Sequence, residues 1–214
     1  MNIAVIKVGG SLFDLPDLSA RLSRLIDGLE NTKPLLVCGG GRAADLVRVW
    51  DRMHHLGETR AHWLAIQALM LNNRLLCQIL PDACLISSQS EAAGVWKAGR
   101  IPVLCAYDYL TQTSHSPVPA LPASWDVTSD SIAAWVTLTW PADELILLKS
   151  VDVSHEKTIS ELTEAGMVDA YLPALVDALP CLRWCNLRAD TPPVQLATVT
   201  SGSSFQSRNA TGPA

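Results

Sequence analysis

Short, continuous apolar runs alternate along the chain with segments whose apolar residues recur every three or four positions. The first run, over residues 3–8, is broken only by Lys7 and leads straight into Gly9-Gly10-Ser11. Leu18, Leu22, Leu25, Ile26 and Leu29 then mark one face of a helix that Pro16 or Asp17 can start. Pro34 leads a second run, Leu35-Leu36-Val37-Cys38, which ends in Gly39-Gly40-Gly41. Unalternated runs of this length suit strands buried on both faces. The spacing predicts helices over about 43–53 and 59–79, strands over 83–86 and 102–105, and a helix over 91–98 between those strands. Residues 111–124, rich in proline and serine, read as a connection or flap near a site. A helix over 128–139, a strand over 144–148 ending at Lys149, short helices over 159–162 and 170–179, and a strand over 182–186 complete the pattern. Such alternation predicts an α/β sandwich on a largely parallel sheet, one domain over residues 1–200, with 201–214 as a small, polar, disordered tail.

Composition narrows the class. The 214 residues suffice for one sizeable core, and 49% hydrophobic against 17% charged excludes a disordered chain. That balance favours an enzyme-like domain or a subunit that buries further surface in a homo-oligomer. A net charge of −5 weighs against nucleic acid as a partner. No apolar run reaches the roughly 18–20 residues of a membrane helix, and the opening lacks a signal peptide's basic start. A cytoplasmic protein with no membrane partner is expected. The six cysteines lie mostly inside apolar segments and the histidines are scattered, so core thiols and no metal site are expected.

Three turns that follow predicted strands carry candidate chemistry, because open α/β sheets collect ligands there. In Lys7-Val8-Gly9-Gly10-Ser11, glycines let backbone N–H groups approach phosphate oxygens and Lys7 adds a point charge. A plain tight turn also explains this run, which matches neither a Walker A loop nor the dinucleotide fingerprint. Gly39-Gly40-Gly41-Arg42 opens a helix, whose N-terminus favours anions, and Arg42 can clamp a phosphate or carboxylate. The other reading is a loop. Asp126, Thr128 and Ser129 are N-cap candidates ahead of Asp130. Lys149, closing an apolar strand, is either a snorkelling surface residue or part of a site.

Taken together, Lys-x-Gly-Gly-Ser, the triple glycine about 30 residues later, Thr128-Ser129-Asp130-Ser131 and Leu147-Leu148-Lys149-Ser150-Val151-Asp152 resemble the amino acid kinase superfamily in order and spacing. That superfamily includes aspartate, acetylglutamate, uridylate and isopentenyl phosphate kinases. The stretches Asp45-Leu-Val-Arg48, His62-Trp-Leu-Ala-Ile66, Trp125-Asp126 and Val168-Asp169-Ala170-Tyr171-Leu172-Pro173 look most like its aminomethylfuran-methyl phosphate kinase branch. The resemblance implies a three-layer αβα sandwich and an ATP- and Mg2+-dependent phosphotransferase acting on a phosphomonoester in methanofuran-type one-carbon cofactor biosynthesis. It implies that Lys7, Asp130 and Lys149 are catalytic, Asp130 holding the lysines while they neutralise the transferring phosphoryl. Gly9, Gly10, Ser11, Ser150 and Asp152 would bind ATP. Gly39, Gly40, Gly41 and Arg42 would receive the acceptor, with Asp126 meeting its ammonium.

Two departures stand out. The superfamily's late Gly-Gly-Met-x-x-Lys survives only as Ala165-Gly166-Met167-Val168-Asp169 without the lysine, for which Lys157 is the candidate replacement. The stretch that would hold the adenine is short. A carboxylate or uridylate-like kinase, and a non-catalytic oxyanion-binding protein of the same fold, are the alternatives.

Overall fold

The computed structural model describes residues 2–113, 118–153, 157–189, 197–200 and 203–206. Its strands are β1 (Asn2–Val8), β2 (Thr32–Cys38), β3 (Ala83–Ile86), β4 (Ile101–Leu104), β5 (Glu144–Lys149), β6 (Leu182–Asn186), β7 (Ala197–Thr200) and β8 (Ser203–Gln206). They form one sheet in the order β3-β4-β2-β1-β5-β6-β7-β8. From β3 to β6 every pair is parallel, and β7 and β8 join antiparallel. The six parallel strands therefore end along one edge, which also carries both glycine-rich turns.

The helices are α1 (Leu18–Asp27), α2 (Arg42–His54), α3 (Glu58–Ile79), α4 (Gln89–Lys97), α5 (Ala106–Gln112), α6 (Ser129–Thr139), α7 (Ile159–Glu164) and α8 (Pro173–Val176). They cover both faces, giving the expected αβα sandwich. Strand alternation decides which residues meet which layer. Val5, Leu35, Val37, Leu145 and Leu147 pack toward Ile132, Ala133 and Val136 of α6. Ala4, Ile6, Val8, Leu36, Cys38, Ile146 and Leu148 pack on the opposite face with Leu18, Leu22 and Leu25 of α1 and Leu76 of α3. Lys7 and Lys149 fall in phase with Val5 and Leu147, so both side chains belong to the α6 face.

Helix α6 is buried continuously from Asp130 to Thr137. Such all-round burial needs a largely apolar sequence, which Ile-Ala-Ala-Trp-Val supplies. Beneath it Trp135 stacks edge-on to Tyr109, and its Nε1–H donates to the carbonyl of Pro119 at 2.8 Å. Cys38, Cys105 and Cys185 are core thiols, each pushed well above its ordinary pKa by burial. No helix among the described residues is long and apolar enough to cross a membrane.

The structure corrects four expectations. Residues 106–112 form α5 where the expected connection begins, and a 3₁₀ turn, Gly10–Asp14, follows the first glycine pair. Helix α8 is a single turn rather than the ten residues predicted over 170–179. Ser203–Gln206 pairs as β8 within the predicted tail, whose residues 201–202 and 207–214 lie outside the described residues. Part of the predicted flap, 114–117, also lies outside them.

Candidate active site

Parallel strands β1 and β5 are register neighbours, with Lys7 opposite Leu147, so the side chains of Lys7 and Lys149 emerge close together at the sheet's C-terminal edge. Both meet Asp130 in the first turn of α6. Lys7 Nζ lies 2.9 Å from Oδ1, and Lys149 Nζ donates to Oδ2 at 2.7 Å. Lys149 also donates to the carbonyl of Met167 at 2.7 Å. Burial alone would raise the Asp130 pKa, but the two ammonium groups outweigh it and hold the carboxyl at about 2. Burial, together with the like charge of Lys7, pulls Lys149 down to about 8 against the opposing pull of Asp130. Two cations are thus fixed side by side on one anion, an arrangement suited to opposing negative charge on a ligand.

The two glycine turns lie against each other backbone to backbone. A Cβ on Gly10 would stand 2.1 Å from the Gly41 nitrogen, and one on Gly41 (φ +49) would stand 2.4 Å from the Gly10 oxygen. Asn72 of α3 fixes the second turn by donating from Nδ2 to the carbonyls of Gly39 (2.6 Å) and Gly40 (2.9 Å). In a trans peptide the N–H points opposite the C=O. Turning those carbonyls toward Asn72 therefore turns the N–H groups of Gly40 and Gly41 away from it, and among the described residues neither has a hydrogen-bond partner. The bulk that Gly10→Ala introduces meets immovable backbone. Its expected cost is about 1–3 kcal/mol of stability, read by urea denaturation.

These turns and the lysine pair line a cleft of about 230 Å³. Lys7, Gly10, Ser11, Gly40, Gly41, Asp130 and Lys149 all face it. Gly9 and Gly39 stand behind, where a Cβ would meet Leu148 O and Gly10 N, each at 2.7 Å. Ser150 also stands behind, its hydroxyl accepting from that of Ser11 at 3.1 Å. Arg42, Asp126 and Asp152 are exposed and outside the lining, as is the half-buried Lys157.

Asp126 does not cap α6 either. Asp169 does so from outside the helix: its Oδ2 accepts from the N–H groups of Thr128 and Ser131, each at 2.9 Å, and its Oδ1 accepts from the hydroxyl of Ser131. Arg48 of α2 lines the cleft although the sequence reading gave it no role. Ala44 and Arg48, one turn apart and both on the cleft, carry the signal that could have found it. The Arg48 guanidinium lies 4.9 Å from the Trp125 ring centre. The Trp125 indole N–H in turn donates to Asp51 at 3.0 Å.

Residues 2–169 match the amino acid kinase family. The chain belongs to the amino acid kinase family. Its relatives include the [5-(aminomethyl)furan-3-yl]methyl phosphate kinase of Methanocaldococcus jannaschii, 25% identical over 154 residues that cover 72% of this chain and 68% of the relative. Among solved structures, uridylate kinase from Archaeoglobus fulgidus superposes with a TM-score of 0.58 at 18% identity, over 95% of this chain and 92% of that one. UMP kinase from Ureaplasma parvum gives 0.63 at 15% identity, over 90% and 89%. Aspartate kinase from Synechocystis also gives 0.63, at 14% identity, over 95% of this chain but 40% of that longer one. The fold is that of these kinases. Family membership makes the protein a small-molecule kinase, a phosphotransferase using a nucleotide.

Among the described residues of this amino acid kinase, no three His, Cys, Asp or Glu cluster to hold a metal. Asp130, the carboxylate that lines the cleft, is already shared by two lysines. These residues do not build a resident Mg2+ site.

A pH dependence follows from Lys149. With the Lys149 ammonium as the form that would oppose a ligand's negative charge, kcat/KM is expected to fall as pH rises through about 8. Bound phosphate favours the ammonium, so the limb in kcat should lie higher. Lys149→Arg, charged throughout, should lack the limb in a pH–rate profile.

Proposed function

We propose that this kinase transfers the γ-phosphoryl group of ATP to a phosphomonoester, forming a diphosphate, with [5-(aminomethyl)furan-3-yl]methyl phosphate as the acceptor. The observation that carries the reading is the lysine pair seated on one buried carboxylate, beside two interlocked glycine turns. The name of the Methanocaldococcus jannaschii relative supports the choice of acceptor.

Phosphoryl transfer asks the protein for alignment and charge neutralisation more than for covalent chemistry. Lys7 neutralises the transferring group, Lys149 supplies the second positive charge, and Asp130 orients both. The backbone of Gly10 and Ser11 cradles the nucleotide phosphates, with Gly9 and Ser150 behind it. Gly40 and Gly41 offer their N–H groups to the acceptor, on a turn that Gly39 and Asn72 hold in place. Arg42, Asp126 and Asp152 take no part. A divalent cation arrives with ATP as part of the substrate. An oxygen of the acceptor phosphate forms the new bond to Pγ while the bond from Pγ to the β–γ bridging oxygen breaks, and ADP leaves with that electron pair. The attacking oxygen is already anionic at neutral pH, so no general base is required.

The test incubates the protein with MgATP and three acceptor classes: the aminomethylfuran phosphate, UMP, and amino acid carboxylates. ³¹P NMR should show a new diphosphate from the first. Turnover of carboxylates alone, or of no acceptor at all, overturns the reading.

A further inference from the structure

The cleft carries a cation that the mechanism leaves unused. Ala44 and Arg48 share the face of α2 that lines it, in line with Gly41 just before the helix, whereas Arg42 is exposed outside it. Three cations, Lys7, Lys149 and Arg48, therefore face the space against the carboxylate of Asp130. The lysines already hold Asp130. Among the described residues Arg48 pairs with Asp45 alone, whose Oδ1 accepts from Nη1 at 2.8 Å. The two side chains are 42% and 66% exposed, a pairing weak enough for a ligand anion to replace.

The rest of the guanidinium is prepared for such an anion. Its central carbon lies over the Trp125 ring, 4.9 Å from the centre, a cation–π contact that uses none of its N–H donors as a hydrogen bond. Trp125 is itself pinned at both ends: its indole donates to Asp51 and its backbone N–H to Glu58 at 3.4 Å. The preceding residue, Ser124, bonds through its carbonyl to His62 Nδ1 at 2.8 Å. On the same wall, the N–H groups of Gly40 and Gly41 have no partner among the described residues, at the start of a 13-residue helix.

We propose that Arg48, with the N–H groups of Gly40 and Gly41, forms the subsite that receives the acceptor's phosphate, Trp125 holding the guanidinium in place. This rests on the phosphomonoester reading above and replaces Arg42 as the phosphate clamp.

Arg48→Ala should raise KM for [5-(aminomethyl)furan-3-yl]methyl phosphate by about 10–100-fold and leave KM for ATP within about twofold. Arg48→Lys should recover only part of the loss, because an ammonium offers a point charge and no fork. Arg42→Ala should change neither constant. An unchanged acceptor KM in Arg48→Ala, or a larger effect from Arg42→Ala, overturns the subsite. Calorimetric titration of inorganic phosphate, with a non-hydrolysable ATP analogue bound, separates this proposal from the reading it rests on. Binding by the wild type that Arg48→Ala abolishes supports the subsite whichever acceptor is turned over. Equal binding by both proteins, or none by the wild type, overturns it. Turnover of carboxylates alone overturns the phosphomonoester reading and not the subsite.

Discussion

Replacing Lys7 by alanine is expected to lower kcat by about 10²–10³ while KM for ATP moves little. Removing one preorganised group that meets charge developing in a transition state typically costs that much. In the proposed mechanism the ground-state phosphates would keep Lys149 and the backbone of Gly10 and Ser11, so binding should survive what the transfer step does not. Folding survives as well, because Asp130 keeps Lys149 at 2.7 Å. Steady-state kinetics on a variant with an unchanged melting curve makes the measurement. Near-wild-type turnover would remove Lys7 from the mechanism.

Asp130→Asn acts on stability as much as on rate. Asp130 is 4% exposed, and its carboxylate is the counter-ion that both lysines share. An amide in its place leaves two buried ammonium groups facing each other, and breaking a buried ion pair in this way costs about 3–5 kcal/mol. In the wild type the Asp130 pKa falls from 3.8 to about 2 on folding, so its stabilisation is complete above pH 4 and is lost as pH drops toward 2. The variant reverses the relevant direction. Asp130 holds the Lys149 proton up to about pH 8. Without it a lysine sheds its proton at lower pH, so the penalty should shrink as pH rises toward 8 and level off above it. Urea denaturation at pH 7 and pH 9 checks both statements, and an equal deficit at the two values would show that lysine charge is not the cause.

The central strands were legible because a strand buried on both faces leaves an uninterrupted apolar run, and Lys7 and Lys149 stood out as charges within and at the end of such runs, Lys149 with a snorkelling reading beside the site reading. That Asp130 is their partner follows from phase: both lysines sit on the α6 face, and Asp130 lies in that helix's first turn. What escaped the sequence depends on distant contacts. Asp169 caps α6 from 38 and 41 positions away, and Asn72 orients a turn 32 and 33 positions before it. Neither spacing carries a local signal. Arg42 looked favourable because it adjoins the glycines, but a helix's first residue need not face the same way as the turn before it. Arg48 shares the cleft-facing side with Ala44. Helix α5 was missed for a different reason: seven residues are too few for a clear 3.6-residue period.

The 3₁₀ turn after Gly10 has a partner from the far end of the fold. Arg188, just past β6, donates to the Ser11 carbonyl at 2.7 Å and pairs with Asp14, across 177 and 174 positions of sequence. Arg21 of α1 holds the same stretch, donating to the carbonyls of Leu187 and Ala189 at 3.2 and 2.9 Å. β1 leaves the ribosome early, yet the loop it feeds cannot take its final form until β6 and Arg188 have emerged. Long-range closures of this kind are slow, and synthesis proceeds at about 5–20 residues per second. For about 10–35 seconds a nascent chain would hold the first glycine turn without its anchor. The capacity to bind nucleotide should thus appear late in synthesis and abruptly, not grow in step with chain length.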